Sequence, residues 1–275
     1  MPLRSFALRT APRLLSGGLI LACALGAASV QAQPQPASAA PIEVRTPRGQ
    51  LAPAPAAWRT PAAARLHFVV QGKIKSLPYQ TQAQLDWLPQ GTRYEAAQEV
   101  QIPLLGSRRQ SSTGTIGPAG LQPDIFMDRT RREYSTTFDA QAGQIVFSRG
   151  STPAPWVLGT QDRLSVFFQL AGMLAAAPRQ YPVGTQITLS AASSSRVAPW
   201  TFTVRGTETL QLPAGTISAL KLEHNADTDS APPGDGQQSA LWLAPSMQYL
   251  PVRIRMVEDG GRDELDLKLQ SRSQP

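Results

Sequence analysis

His67 and His224 are the only two histidines in the 275-residue chain, so any Ser–His chemistry would have to be built on one of them. Neither has the partners. No G-x-S-x-G elbow occurs, His67 falls on the polar face of a period-two segment, and His224 continues the face of Leu220 and Leu222, inward at the end of a strand. Each reads as a structural or surface residue. Metal chemistry has no better footing, because two histidines on separate strands and a single cysteine, Cys23, give no zinc spacing. "DTDSAPPGDG", Asp227 to Gly236, opens like a calcium loop but has Ala231 and Pro232 where oxygen ligands are needed. Gln238 stands at the position that requires a bidentate Glu. "STGTIGPAG" is glycine-rich yet leads into an extended segment, not a helix N-terminus that could cradle phosphate. The carboxylate pairs Glu258–Asp259 and Asp263–Glu264 flank a hairpin turn, where water solvates them. The residue inventory predicts no catalytic set, no metal and no cofactor, and so a non-enzymatic protein.

The elements that would have to position such residues are mostly strands. In "LHFVVQGKIK" Leu66, Phe68, Val70 and Ile74 share one face, while Gln71, Lys73 and Lys75 take the other. The same alternation recurs in "AQLDWL", "YEAAQEVQI", "YSTTF" and "QIVF", and again from "QITLSA" through "WTFTVRG", "ETLQL", "ISALKLEH", "ALWLA", "LPVRIRM" and "DELDLKL". Turn signals such as Gly117-Pro118 and Asp259-Gly260-Gly261 separate them. One segment breaks the rhythm. In "TQDRLSVFFQLAGMLAAAP" helical spacing leaves only Ser165, Gln169 and Gly172 on a narrow non-apolar stripe. A helix over about 162–177 is predicted, capped by Thr160 or Asp162 and stopped by Pro178. Its apolar circumference requires burial on more than one side. About a dozen strands and one such helix imply a mainly β fold: a large curved antiparallel meander, an open or half barrel, wrapped around a single long apolar α-helix.

The front of the chain sets the compartment. Arg4, Arg9 and Arg13 precede an apolar run from Leu14 to Val30, with Val30-Gln31-Ala32 as the cleavage site, so residues 1–32 read as a signal peptide and the protein as periplasmic. Lipidation at Cys23 is the lesser alternative, because the apolar segment before it is short. Residues 33–63, dominated by Pro, Ala and Gln, read as a disordered or extended tether, and residues 64–271 as a single β-rich domain. No later stretch approaches the ~20 apolar residues of a membrane helix. Removing the three leader arginines from 26 basic residues leaves 23 against 19 acidic ones, or +4. Arg108-Arg109, Arg129, Arg131-Arg132, Arg253 and Arg255 are scattered without interleaved aromatics, which excludes a nucleic-acid groove.

"LWLAPSMQYLPVRIRM", Leu241 to Met256, reads as strand, turn, strand. Pro251 marks the second strand's entry, and Trp242 either packs on the helix or sheet or lines a ligand cavity. Together with "GLQP" (Gly120 to Pro123), "DRLSVFFQL" (Asp162 to Leu170) and "GTETLQLPAGTISALKLE" (Gly206 to Glu223), in this order over residues 64–270, it resembles the exported bacterial family DUF3108. That resemblance implies an architecture like the periplasmic lipoprotein carriers, whose curved sheet partly encloses a helix and an apolar cavity and which show a similar W-x-x-P…L-P-x-R hairpin. It brings no activity and no catalytic residues. The expectation is a periplasmic protein binding a lipid or acyl chain between sheet and helix, with Phe167, Phe168, Leu170, Met173 and Trp242 as lining. The rival is an envelope scaffold that holds a partner protein by a sheet edge or the Pro-rich tether.

Overall fold

The structure, a computed structural model, describes residues 42–53, 57–102, 106–225, 238–258 and 261–275. The expected leader with Cys23 and the loop Asp227–Gly236 lie outside the described residues. The first half contributes β1 (Ile42–Arg45), β2 (Ala64–Ile74), β3 (Leu77–Gln90), β4 (Arg93–Ile102), β5 (Gly106–Gly117), β6 (Gly120–Arg129), β7 (Glu133–Asp139), β8 (Gln144–Phe147) and β9 (Ala154–Pro155). After the two-residue β10 (Gln161–Asp162) comes the helix α1 (Ser165–Ala176). The second half is β11 (Gln186–Ala192), β12 (Val197–Leu212), β13 (Gly215–Asn225), β14 (Gln238–Ala244), β15 (Leu250–Glu258) and β16 (Asp263–Ser273).

All sixteen strands belong to one open sheet, in the order β1-β11-β12-β13-β14-β15-β16-β2-β3-β4-β5-β6-β7-β8-β9 with β10 beside β11. Every pairing is antiparallel except the two-residue β10–β11 contact. The two meanders are joined by the β16–β2 pairing, with Leu267 opposite Val70. The alternation read from sequence is what the sheet uses: Leu66, Phe68 and Val70 of β2 and Leu267 and Leu269 of β16 are buried on the inner face. On the outer face cross-strand ion pairs line up, among them Arg65–Asp86 and the two-pronged Arg253–Asp266, with both nitrogens at 2.8 Å.

Helix α1 is enclosed, with every residue from Ser165 to Leu174 buried. The stripe of Ser165, Gln169 and Gly172 serves as its attachment. Asp162 accepts from the N–H groups of Leu164 and Ser165, both at 2.8 Å, and its own N–H donates to Ser165 Oγ at 2.9 Å. This reciprocal pair occupies donors that a helix start leaves open. Asp162 also accepts from the Ser112 hydroxyl, itself 2.9 Å from Tyr94 Oη. Gln169 accepts from Leu121 N–H at 2.8 Å and donates to Ala119 O at 3.1 Å, hooking the β5–β6 turn.

The described part of the segment 33–63, expected as a disordered or extended tether, is seated on the domain. Val44 of β1 is buried, and β1 pairs with β11 through Ile42↔Leu189 and Val44↔Ile187. Residues 57–63 lie along the helix as a strap: Trp58 Nε1 donates to Gln169 O at 3.2 Å, and Arg59 N–H to Gly172 O at 3.1 Å. Pro61 O accepts from Trp87 Nε1 at 3.0 Å, and Ala62 N–H donates to Gln248 Oε1. A Cβ on Gly172 would stand 2.1 Å from the Trp58 ring. A Pro/Ala-rich composition removes periodicity, but two apolar anchors and four hydrogen bonds suffice to seat an extended strap on a preformed surface.

Asp162 yields a pH test. Burial pushes its carboxyl above the ordinary carboxylate range, against the hydrogen bonds from Ser112, Ser165 and Leu164 that pull it down. The native state therefore holds this proton more firmly than the unfolded chain, so native stability declines as pH rises from about 4 through the raised value and levels off above it. Asp162→Asn keeps an oxygen for the helix N–H groups and abolishes that decline. Its melting temperature relative to the parent is expected to climb with pH across this window; Asp162→Ala, which also lacks the carboxyl, follows the same climb from a baseline about 2 kcal/mol lower because it loses the cap. A flat difference for the Asn variant would show that the hydrogen bonds to the carboxyl offset its burial and leave no net upward shift.

Candidate ligand-binding site

Inward alternation on eight strands leaves space beside the start of α1. A pocket of about 210 Å³ opens there between the inner face of the sheet and the helix. One wall is apolar: Leu241 of β14 lies across from Ile254 of β15, and Met256 across from Leu265 of β16. Phe167, in the first turn of α1, and Trp200 of β12 close it from the helix side. Tyr79 of β3 lies over its register partner Gly72, where a Cβ would stand 2.4 Å from the ring. Glycine there is what lets the ring lie flat along the sheet as part of the lining.

The other wall is polar. Gln98 and Val100 of β4 face inward opposite Gln110 and Arg108 of β5. Arg108 grips Asp128 with two hydrogen bonds, 2.9 and 2.6 Å, and Gln110 adds a third at 3.2 Å. Burial raises the Asp128 carboxyl, but the hydrogen bonds and charge of Arg108 outweigh it and hold the group below its ordinary value. Arg163, just before the helix, places its guanidinium 5.7 Å from the Trp200 ring centroid. At the outer end stand Lys73, Asp263 and Glu264. Glu264 is tied to Arg255 at 2.8 Å and Lys73 at 3.4 Å.

Two lining residues are polar members of otherwise apolar inward rows. Gln98 follows Tyr94 and Ala96, and Ser239 precedes Leu241 and Leu243. They are 5% and 6% exposed, and Gln98 Nε2 and Ser239 Oγ have no hydrogen-bond partner among the described residues. His224, the cross-strand neighbour of Ser239, stacks on Trp200 at 5.2 Å and has Nδ1 3.1 Å from Thr201 O. That carbonyl can only accept, so Nδ1 carries the proton. Burial, helped by the charge of Arg163, lowers the imidazole below its ordinary value and keeps it neutral. The serine hydroxyl does not meet the ring, so the pair is not an activated nucleophile. Among the described residues no group of three or more His, Cys, Asp or Glu could hold a metal ion.

Of the five lining residues expected from sequence, Phe167 lies in the pocket. Phe168 instead stacks on Trp87 at 4.3 Å, and Leu170 and Met173 are fully buried in the core cluster. Trp242 is on the opposite face of the sheet. Its register partners Lys221 and Arg253 point outward, so it does too, with Nε1 donating to Glu208 at 2.7 Å and the Arg253 guanidinium 4.5 Å from its ring. The residues that sequence reasoning missed, Gln98 and Ser239, carried a readable signal: a lone polar side chain on the apolar face of its strand.

A family model described as "Protein of unknown function (DUF3108)" matches residues 81–268. No curated protein matches the chain in sequence. Among solved structures, the chain is similar to a β-barrel-like protein of the domain of unknown function DUF1849 from Brucella abortus, at 11% identity and a TM-score of 0.49, covering 79% of this chain and 99% of that one. It is also similar to a putative outer membrane lipoprotein-sorting protein domain from Vibrio parahaemolyticus, at 9% identity and a TM-score of 0.32, covering 77% and 85%. Among the described residues no helix is long and apolar enough to cross a membrane.

Proposed function

The chain belongs to the DUF3108 family, and from that premise we propose that it is a non-enzymatic periplasmic protein whose inner pocket binds a hydrophobic ligand, a lipid or an acyl chain. The observation that carries this reading is the pocket of about 210 Å³ with Phe167, Leu241, Ile254 and Met256 on its apolar side. A dry apolar cavity of roughly 150 Å³ admits benzene, and pockets for drug-sized ligands begin near 300 Å³. This one is therefore sized for a length of one acyl chain. Its wall is held by strands paired on both sides and by an anchored helix, so little ordering cost falls on binding. The leader pattern of residues 1–32 supplies the periplasmic part of the proposal.

The test is native mass spectrometry of mature protein taken gently from the periplasm, compared with the same sample after denaturing extraction. A bound lipid mass that vanishes on denaturation, and is missing from a Leu241→Trp variant that fills the pocket, is the expected result. A clean apo mass with no uptake of offered lipids would overturn it, and a copurifying protein in place of lipid would favour the envelope scaffold.

A further inference from the structure

Resting on that pocket reading, we propose that the tip of the β2–β3 hairpin is where the protein meets the surface of a lipid bilayer, with Leu77 entering that surface so that a chain passes directly into the pocket. Leu77 is 72% exposed, more than any other large hydrophobic residue among those described. One exposed leucine is ordinary in itself, but this one has a particular place. It is the last member of the inward row of β3, which runs from Trp87, Leu85 and Ala83 to Tyr79. Its register partner is Ile74, and both Ile74 and Tyr79 line the pocket. The apolar lining therefore continues past the outer end of the pocket into solvent. A chain leaving a bilayer at Leu77 meets Ile74 and then Tyr79 without crossing water.

The tip is held in place. Lys75 and Ser76 form its two-residue turn with φ of 51° and 70°, a conformation for which Asn-Gly is the usual choice. The Lys75 N–H donates to Asp263 Oδ1 at 2.7 Å and the Ser76 N–H to Arg262 O at 2.8 Å, so the neighbouring β15–β16 connection fixes the turn that carries Leu77. Charge at this end selects no sign. Lys73, Lys75 and Arg262 stand with Asp263 and Glu264, and the sequence between β15 and β16 adds Glu258 and Asp259. Lys73 is already paired with Glu264 at 3.4 Å. An aliphatic point on a rim of mixed charge fits zwitterionic lipid headgroups over acyl chains, and gives a polyanion or a strongly charged protein face nothing to select.

The experiment follows transfer of cis-parinaric acid, a slender fluorescent chain, from phosphatidylcholine vesicles to the mature protein by energy transfer from tryptophan, Trp200 being in the pocket wall. The rate is expected to rise in proportion to vesicle concentration, as direct contact requires, whereas escape through water would give a rate independent of it. Leu77→Asp is expected to slow transfer about ten-fold and Leu77→Phe less than about two-fold. Both variants are expected to melt, and to take up the free probe, as the parent does. Adding phosphatidylglycerol to the vesicles is expected to change the rate less than about three-fold. A rate independent of vesicle concentration, or undiminished transfer to Leu77→Asp, would overturn the bilayer contact and leave the pocket reading intact. A steep rise with phosphatidylglycerol would assign the contact to the cations and overturn the role of Leu77. Delivery only from a copurifying envelope protein would put that protein in place of the bilayer. Failure of the free probe to bind would overturn the pocket reading itself, and this contact with it.

Discussion

Replacing Trp87 by alanine is expected to cost about 4 kcal/mol of folding stability, a large share of the 5–15 kcal/mol that a domain ordinarily has. The indole is 1% exposed and joins three parts of the molecule. Its ring stacks on Phe168 of the helix, with centroids 4.3 Å apart and planes 17° from parallel, and lies 5.5 Å from Tyr94 of β4. Its N–H holds Pro61 of the strap at 3.0 Å. Alanine would leave a cavity between sheet and helix and an unanswered carbonyl in the strap. Phenylalanine keeps the stack and loses the hydrogen bond, so a cost of about 1–2 kcal/mol is expected for it. Urea unfolding of the three proteins measures both. A loss under about 1 kcal/mol for alanine would mean that the helix is not anchored through this ring.

The second large effect is expected at Gly120. Its φ of +115° is one that side chains rarely adopt, and a Cβ there would stand 2.1 Å from Gln169 Oε1. Gly120→Ala should therefore add backbone strain and expel the Gln169 amide from Leu121 N–H and Ala119 O, for a total of about 3–5 kcal/mol. Gln169→Ala alone removes the same two hydrogen bonds. The double variant should then be less destabilised than the sum of the singles by at least 1 kcal/mol, since the second change removes the atoms that the first one strikes. Strict additivity in a double-mutant cycle would disprove the hook.

Much of the fold was legible because period and burial agree. The helix expected over 162–177 occupies Ser165–Ala176, with Asp162 at its start, and the inward rows of β2, β4 and β16 follow the alternation. Among the described residues sixteen strands stand where about a dozen were expected, and β5 shows why. Its inward Ser112 and Gly114 carry no hydrophobic signal, because one meets Asp162 and a Cβ on the other would stand 2.2 Å from Gln122 O. Contacts, not apolarity, define that strand. The stripe of Ser165, Gln169 and Gly172 could be read as different from its surroundings, but its partners Gly120 and Trp58 are too distant in sequence for spacing to reveal. The face of Trp242 had no signal in the sequence because Leu241, Trp242 and Leu243 form an unbroken apolar run next to a bulge, so alternation gave no phase. Only the pairing with Lys221 and Arg253 fixes it.

The seam between β2 and β16 bears on the order in which the chain can fold. Gln71 and Lys268, whose side chains meet across it at 2.8 Å, are 197 residues apart. A chain that emerges N-terminus first makes β2 early and its partner last. Until then one edge of β2, with Leu66, Phe68 and Val70 along it, has no neighbour to pair with, and such an edge invites pairing with other chains. So wide a separation between partners also makes folding slow. Completion of the sheet is thereby tied to arrival of β16, and truncation within β16 removes the strand that pairs one meander with the other.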